Sequence, residues 1–296
     1  MTAGRQPSHP AWRDTADVEE YAAAVLPFLE AEPCSRNVPR WIIELARRGV
    51  GGWTAPAHFW WLETRQGARA GASWTPPYDL IVTDVPAASV ASLVESVRAV
   101  AQGSGDRVAG VTGPRPVSEA VAAAWREQTG DTATLHMAQL MHELRAVADV
   151  PRPPGMRRRA TGDDLELLTQ WLVAFAAEAG LPSGADPRAT MRTLIADGGC
   201  HVWTVRDEPV SMTGRREPIG GVARVGPVYT PPEHRGRGYA RRLVAEASRE
   251  ALETGGAQRC MLFTDVANPV SNAIYRQIGY RPVEEHAEYS FEPARA

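Results

Sequence analysis

The chain has 296 residues and a formal net charge of −3 at pH 7. That length suits two domains of ordinary size, and so small a net charge gives no general attraction to nucleic acid or to an anionic membrane. No apolar run approaches the roughly 18 residues of a membrane span, and the opening MTAGRQPSHPAWRD lacks the apolar core of a signal peptide, so a cytoplasmic location is expected.

In chain order, the first half reads as two early helices, about 15–31 and 36–48, followed by strands near 57–64, 67–74 and 78–84. A helix follows at about 86–101, a strand through Val108 to Thr112, a helix at about 116–128 stopped by Gly130, and a long strand at about 133–144. His58-Phe59-Trp60-Trp61 would put large rings on both faces of a strand. One face suits the core; the other could pack on a second domain or line an acceptor pocket.

Val150-Pro151-Arg152-Pro153-Pro154-Gly155 then interrupts the pattern, because its prolines block both helix and central strand. The expected division is therefore 1–150, a linker at 151–155, and 156–296. The second half opens with a short strand, Met156 to Thr161, and a helix capped by Thr161 or Asp163, with Leu165, Leu168, Leu172 and Phe175 at helical spacing. A helix at about 187–196 leads into strands at about 201–206, 209–215 and 220–230. After the loop PPEHRGRG come a helix from about Gly238 to Glu253, an apolar strand Cys260 to Thr264, a helix at about 269–278 stopped by Gly279, and a strand at about 286–292. The two halves share this order, and PVSEAV (116–121) matches PVSNAI (269–274), so the chain reads as two copies of an α/β domain, each a mixed sheet flanked by helices.

Cys34, Cys200 and Cys260 are odd in number and widely spaced, which argues against a disulfide framework. No CxxC or paired-His spacing suggests a metal site, and none is expected.

The chemistry concentrates in HRGRGYA, residues 234–240, between an apolar strand and a long helix. A helix start leaves backbone N–H groups without partners and carries partial positive charge, and glycines let a ligand approach the backbone closely. Such a turn suits a diphosphate. It matches neither GxxxxGK[ST] nor GxGxxG. Its form, Arg-x-x-Gly-x-Ala from Arg235 through Gly238 to Ala240, resembles the [RQ]-x-x-G-x-[GA] signature of the GNAT superfamily of acyl-CoA-dependent N-acetyltransferases. TDVANPVSNAIYRQIGYRPV (264–283) is similar to the family's second signature at Asn268, Ser271, Ile274, Tyr275, Gly279 and Tyr280.

The resemblance implies two GNAT-like domains in tandem, with acetyl-CoA as cofactor of the second. It implies that the backbone amides of Arg235, Gly236, Arg237, Gly238, Tyr239 and Ala240 hold the pyrophosphate. It places pantetheine along the strand end at Val228, Tyr229 and Thr230, where an amide can also polarise the thioester carbonyl. Asn268 and Asn272 can hydrogen-bond the pantetheine amides, and Tyr275 can protonate the departing thiolate as a general acid. Many members carry a glutamate base on this strand; GGVARVGPV has none, leaving Glu217, Glu233, Asp265 or a water chain.

The first half has no basic glycine loop, and Ala122 or Trp125 stands where Tyr275 would be, so it reads as a copy without cofactor binding. The implied reaction moves an acetyl group to a primary amine of a small molecule, in a monomer or homodimer; a non-catalytic acyl-CoA-binding module is the alternative.

Overall fold

The computed structural model describes residues 10–50, 52–180 and 186–294, so part of the stretch on which the signal-peptide reading rests, residues 1–9, lies outside it. The chain forms two compact units, Met1–Leu140 with Glu284–Ala296, and Met141–Val283. No helix among the described residues is long and apolar enough to cross a membrane.

The first unit contains β1 (Ala11–Thr15), α1 (Val18–Ala31), α2 (Asn37–Arg48), β2 (His58–Thr64), β3 (Gly67–Trp74), β4 (Leu80–Val82), α3 (Val90–Ser104), β5 (Gly110–Pro114), α4 (Arg115–Thr129) and most of β6 (Thr132–Leu144). β1 escapes a reading by alternation because AWRDT is an edge strand held by main-chain pairing with β2, Trp12 opposite Leu62. Phe59 and Trp61 pack with α1 and α2, whereas Trp60 joins a core with α3 and α4. Both faces of the aromatic strand are thus interior to this unit, which leaves neither row of rings to line an acceptor pocket.

The last strand, β12 (Arg281–Glu292), completes this first sheet. It runs antiparallel to β5, from His286 opposite Pro114 to Ser290 opposite Gly110. Phe291 stacks on Trp125 with ring centroids 4.7 Å apart. The units therefore differ from a linear split at the proline segment. Residues 145–155 do lack regular structure, as the prolines require, but a strand's partner is chosen by main-chain pairing and packing across the sheet, not by nearness along the chain.

The second unit contains β7 (Met156–Arg159), α5 (Leu165–Glu178), α6 (Pro187–Ala196), β8 (Cys200–Val205), β9 (Glu208–Arg215), β10 (Val222–Tyr229), α7 (Tyr239–Glu253), β11 (Arg259–Asp265) and α8 (Pro269–Ile278), with the last residues of β6. Strands β7 to β10 pair antiparallel in order, and β11 adds to β10 in parallel. Alternation along the strands separates two cores. Ala223, Val225, Cys260 and Leu262 pack with Val244 of α7 and Ile278 of α8. On the other face, Cys200, Val202, Met212 and Tyr229 pack with Leu168 and Trp171 of α5 and with Met191 and Leu194 of α6. Thr161 starts the α5 segment through a reciprocal capping box with Asp164. This is the mixed α/β architecture, a sheet flanked by helices, expected from the periodicity.

Candidate functional site

β10 leads through a single turn of 3-10 helix, Pro232–His234, to Arg235 and then to the start of α7. Gly236 and Gly238 take φ of +75° and +80°, the left-handed region that penalises any side chain. A Cβ at Gly236 would meet nothing within 4 Å, and residues 235–237 are exposed. Among the described residues, no hydrogen bond takes up the backbone N–H groups of Gly236, Arg237, Gly238, Tyr239 or Ala240. The Arg235 N–H differs: it donates to Pro232 O at 3.2 Å, because the 3-10 turn closes on it. Five of the six expected amides thus have no hydrogen-bond partner among the described residues.

The side chains around this turn brace it. Arg235 Nε donates to the Thr230 carbonyl at 2.8 Å, and Nη2 lies 2.8 Å from each Glu178 oxygen. Arg237 Nη2 donates to the Glu233 carbonyl at 3.1 Å. Tyr239 sends its ring into a core with Trp203 and Leu243, so only its backbone serves the turn. Sequence gave no hint of Glu178, which lies 57 positions from Arg235. It also accepts from Tyr229 Oη at 3.3 Å, and burial first, then this carboxylate, raise the Tyr229 pKa.

β10 and β11 pair over only part of their length. Their parallel register covers Val222 to Arg224 against Arg259 to Met261 and goes no further, although both strands continue. On its other edge β10 shifts register against β9 between Val225 and Val228, then pairs again at Val228 and Tyr229. The strand end at Val228, Tyr229 and Thr230 thus lies beyond the last register pair with β11 and on the far side of the shift against β9. Ser211 Oγ donates to Tyr229 O at 3.1 Å and shares a 2.8 Å hydrogen bond with Thr230 Oγ1, which holds this strand end in place.

α8 supplies the remaining residues. Asn268 is its N-cap and is exposed. Asn272 is buried: its Oδ1 lies 2.5 Å from Thr264 Oγ1, and its Nδ2 donates to the Asp265 carbonyl at 3.2 Å. Its amide is engaged within the unit, where it ties α8 to the end of β11, because a buried amide must find internal partners. Tyr275 is only 8 % exposed, and its ring meets Tyr280 edge-on at 5.8 Å. Its hydroxyl makes no hydrogen bond among the described residues, and burial raises its pKa. The phenol therefore keeps its proton at neutral pH.

Near Tyr275 lies His142, at 6.3 Å between ring centroids. It is fully buried, with Nε2 3.1 Å from Thr264 Oγ1, and burial lowers its pKa. It comes from the end of β6, within the long strand expected at about 133–144.

The possible bases are all exposed. Glu217 is in the β9–β10 connection, Glu233 is in the 3-10 turn, and Asp265 accepts the Ala267 N–H at 2.8 Å. Cys260 is fully buried and its thiol pKa is pushed up to about 12 by burial, which rules it out as a nucleophile at neutral pH.

The model of the acetyltransferase (GNAT) family matches residues 166–280. No curated protein matches the chain. Among solved structures, a GCN5-related N-acetyltransferase from Sphaerobacter thermophilus is 17 % identical, with a TM-score of 0.62 over 99 % of this chain and 98 % of that one. A GNAT-family acetyltransferase from Colwellia psychrerythraea is 13 % identical, with a TM-score of 0.58 over 95 % and 100 %. A tandem GNAT protein from the clavulanic acid biosynthesis pathway is 14 % identical, with a TM-score of 0.55 over 97 % and 99 %. At these identities the likeness is one of fold, and it extends over nearly the whole chain. The acetyltransferase (GNAT) family is the one to which this chain's domain at residues 166–280 belongs.

Proposed function

We propose that the second unit transfers an acetyl group from acetyl-CoA to a primary amine of a small molecule, by direct attack while both are bound. One observation carries this reading: β10 stops pairing with β11 before its end at Tyr229, and the turn that follows has backbone N–H groups with no hydrogen-bond partner among the described residues. A diphosphate fits the turn because Gly236 keeps it open and the start of α7 adds partial positive charge.

The amides of Gly236, Arg237, Gly238, Tyr239 and Ala240 hold the diphosphate, with the Arg235 and Arg237 side chains as neighbouring positive charge. The backbone of Val228, Tyr229 and Thr230 lines the pantetheine arm and orients the carbonyl, and Asn268 Nδ2 can donate to the arm from its exposed cap. Acetyl-CoA supplies an acetyl group already activated as a thioester. The amine nitrogen bonds to the acetyl carbon, the C–S bond breaks, and Tyr275 Oη gives its proton to the sulfur. The proton lost by nitrogen passes to water, consistent with the exposed positions of Glu217, Glu233 and Asp265. Burial that raises the phenol pKa also raises that of a thiol leaving in the same place, so the two remain matched.

The test is calorimetric titration with CoA and acetyl-CoA, together with free-thiol release from acetyl-CoA in the presence of a panel of small amines. Binding with amine-dependent thiol release is expected. Binding without release from any amine would leave an acyl-CoA-binding module, and no binding at all would end the reading.

A further inference from the structure

Two rings stand against Tyr275. Tyr280 meets it edge-on at 5.8 Å between centroids, and His142 is tilted by 49° at 6.3 Å. Tyr280 is itself tied down, its hydroxyl 2.8 Å from Ser248 Oγ of α7. His142 is the less expected neighbour, a fully buried imidazole at the end of β6 within the second unit. A buried polar ring costs free energy unless its nitrogens find partners, and an aliphatic side chain would fill the place without that cost.

The surrounding hydrogen bonds fix which nitrogen carries the hydrogen. Asn272 Nδ2 faces the Asp265 and Val266 carbonyls, so Oδ1 is the atom turned to Thr264 and His142. Thr264 Oγ1 donates to that Oδ1 at 2.5 Å, so toward His142 both oxygens are acceptors. His142 Nε2 lies 3.1 Å from Thr264 Oγ1 and 3.4 Å from Asn272 Oδ1, and it is therefore the N–H of the ring. Burial lowers the His142 pKa, so the imidazole is neutral at neutral pH and Nδ1 is a bare lone pair. Nδ1 is buried without a hydrogen-bond partner among the described residues. The ring thus bonds through Nε2 alone, to one residue of β11 and one of α8.

Asn272 and Tyr275 stand three residues apart on α8 and share a face of it. The imidazole grips the first by a hydrogen bond and packs against the ring of the second. Since no hydrogen bond among the described residues directs the Tyr275 hydroxyl, ring packing sets where it points.

We propose that His142 is a positioning residue for acetyl transfer: its Nε2 bonds fix α8 against β11, and its ring holds the Tyr275 phenol where it protonates the leaving sulfur. This rests on the transfer reading above and adds to it the group that orients the acid. His142 exchanges no proton with the reactants. A misplacement of about 1 Å can cost about 10²-fold in rate, so the effect falls on turnover, while cofactor affinity belongs to the turn at 236–240.

Three variants test this. Glutamine can place an amide nitrogen where Nε2 stands, asparagine reaches only as far as Nδ1, and leucine keeps bulk alone. His142→Asn and His142→Leu should lower kcat at least about tenfold, with the CoA dissociation constant by calorimetry within about threefold of wild type. His142→Gln should bring kcat back to within about threefold of wild type. Combined with Tyr275→Phe, His142→Asn should lower kcat no further than Tyr275→Phe alone, to within about twofold, because both remove one contribution. A merely structural role would lower Tm and leave the kcat of the folded protein unchanged, or would multiply the two losses; either result overturns the proposal, as does a glutamine variant no faster than the asparagine one. The glutamine–asparagine contrast decides the matter even if the leucine variant does not fold. Crystal structures of those two variants give a readout independent of turnover: Tyr275 Oη displaced by about 1 Å or more in the asparagine variant and in place in the glutamine variant. An Oη unmoved in both overturns the proposal even where amines are acetylated. A wild type that acetylates no amine ends the transfer reading, and the displacement then still decides whether His142 orients the phenol.

Discussion

Asn268 Oδ1 accepts the backbone N–H of Ser271 at 3.0 Å, so the first residue of the second motif is the cap of the helix that carries Tyr275. A lost cap typically costs about 1 kcal/mol. Asn268→Ala should lower unfolding stability by about that amount in urea denaturation, whereas Asn268→Asp and Asn268→Ser should retain most of it. An alanine variant as stable as the wild type would show that the bond does not hold α8.

Gly236→Ala separates backbone strain from ligand space. At φ +75° the added methyl costs about 1 kcal/mol from the left-handed conformation, yet it meets nothing within 4 Å among the described residues. The variant should fold and bind CoA at least tenfold more weakly by calorimetry. Unchanged affinity would place the diphosphate elsewhere.

Tyr275→Phe removes one hydroxyl from a buried ring. General acid catalysis contributes about 10²- to 10⁴-fold, so kcat should fall within that range while the CoA dissociation constant stays within about threefold. Because burial raises the Tyr275 pKa, wild-type kcat should not decline as pH approaches the ordinary tyrosine value near 10. A variant with wild-type kcat at every pH would remove Tyr275 from the mechanism.

Acid should destabilise the second unit in two stages. His201 is fully buried, and burial first, then Arg157, lower its pKa to about 4. Between about 6.5 and 4 the unfolded chain binds a proton that the folded chain refuses, so stability falls as pH drops through that window, by on the order of 2–3 kcal/mol. Glu250 behaves as a paired acid. Burial raises its pKa, but hydrogen bonds from Arg159 and Arg157 bring it down to about 2. Its contribution is present above the unfolded carboxylate value and is lost as pH falls toward 2. Denaturation curves at pH 7.5, 6 and 5 should show the first decline in the wild type and a much flatter response in His201→Gln. The same slope in both proteins would assign it to another group.

The amino-acid order by itself determined the helices and most strands, because apolar spacing and glycine stops act locally. It also marked the turn at 235–240, where glycine and the start of a helix carry their meaning within a few residues. Asn268 and Tyr275 could be picked out for the same reason, since their spacing is a property of one helix. Four things were decided only by the tertiary structure. β12 joined the first unit, both faces of the Phe59–Trp61 strand became core, and Glu178 met Arg235. Arg224 came to lie opposite Arg216, at the last register pair between β10 and β11. Each depends on which strands and side chains meet across long sequence separations, and pairing and packing select those partners through main-chain hydrogen bonds and buried area that no local pattern encodes.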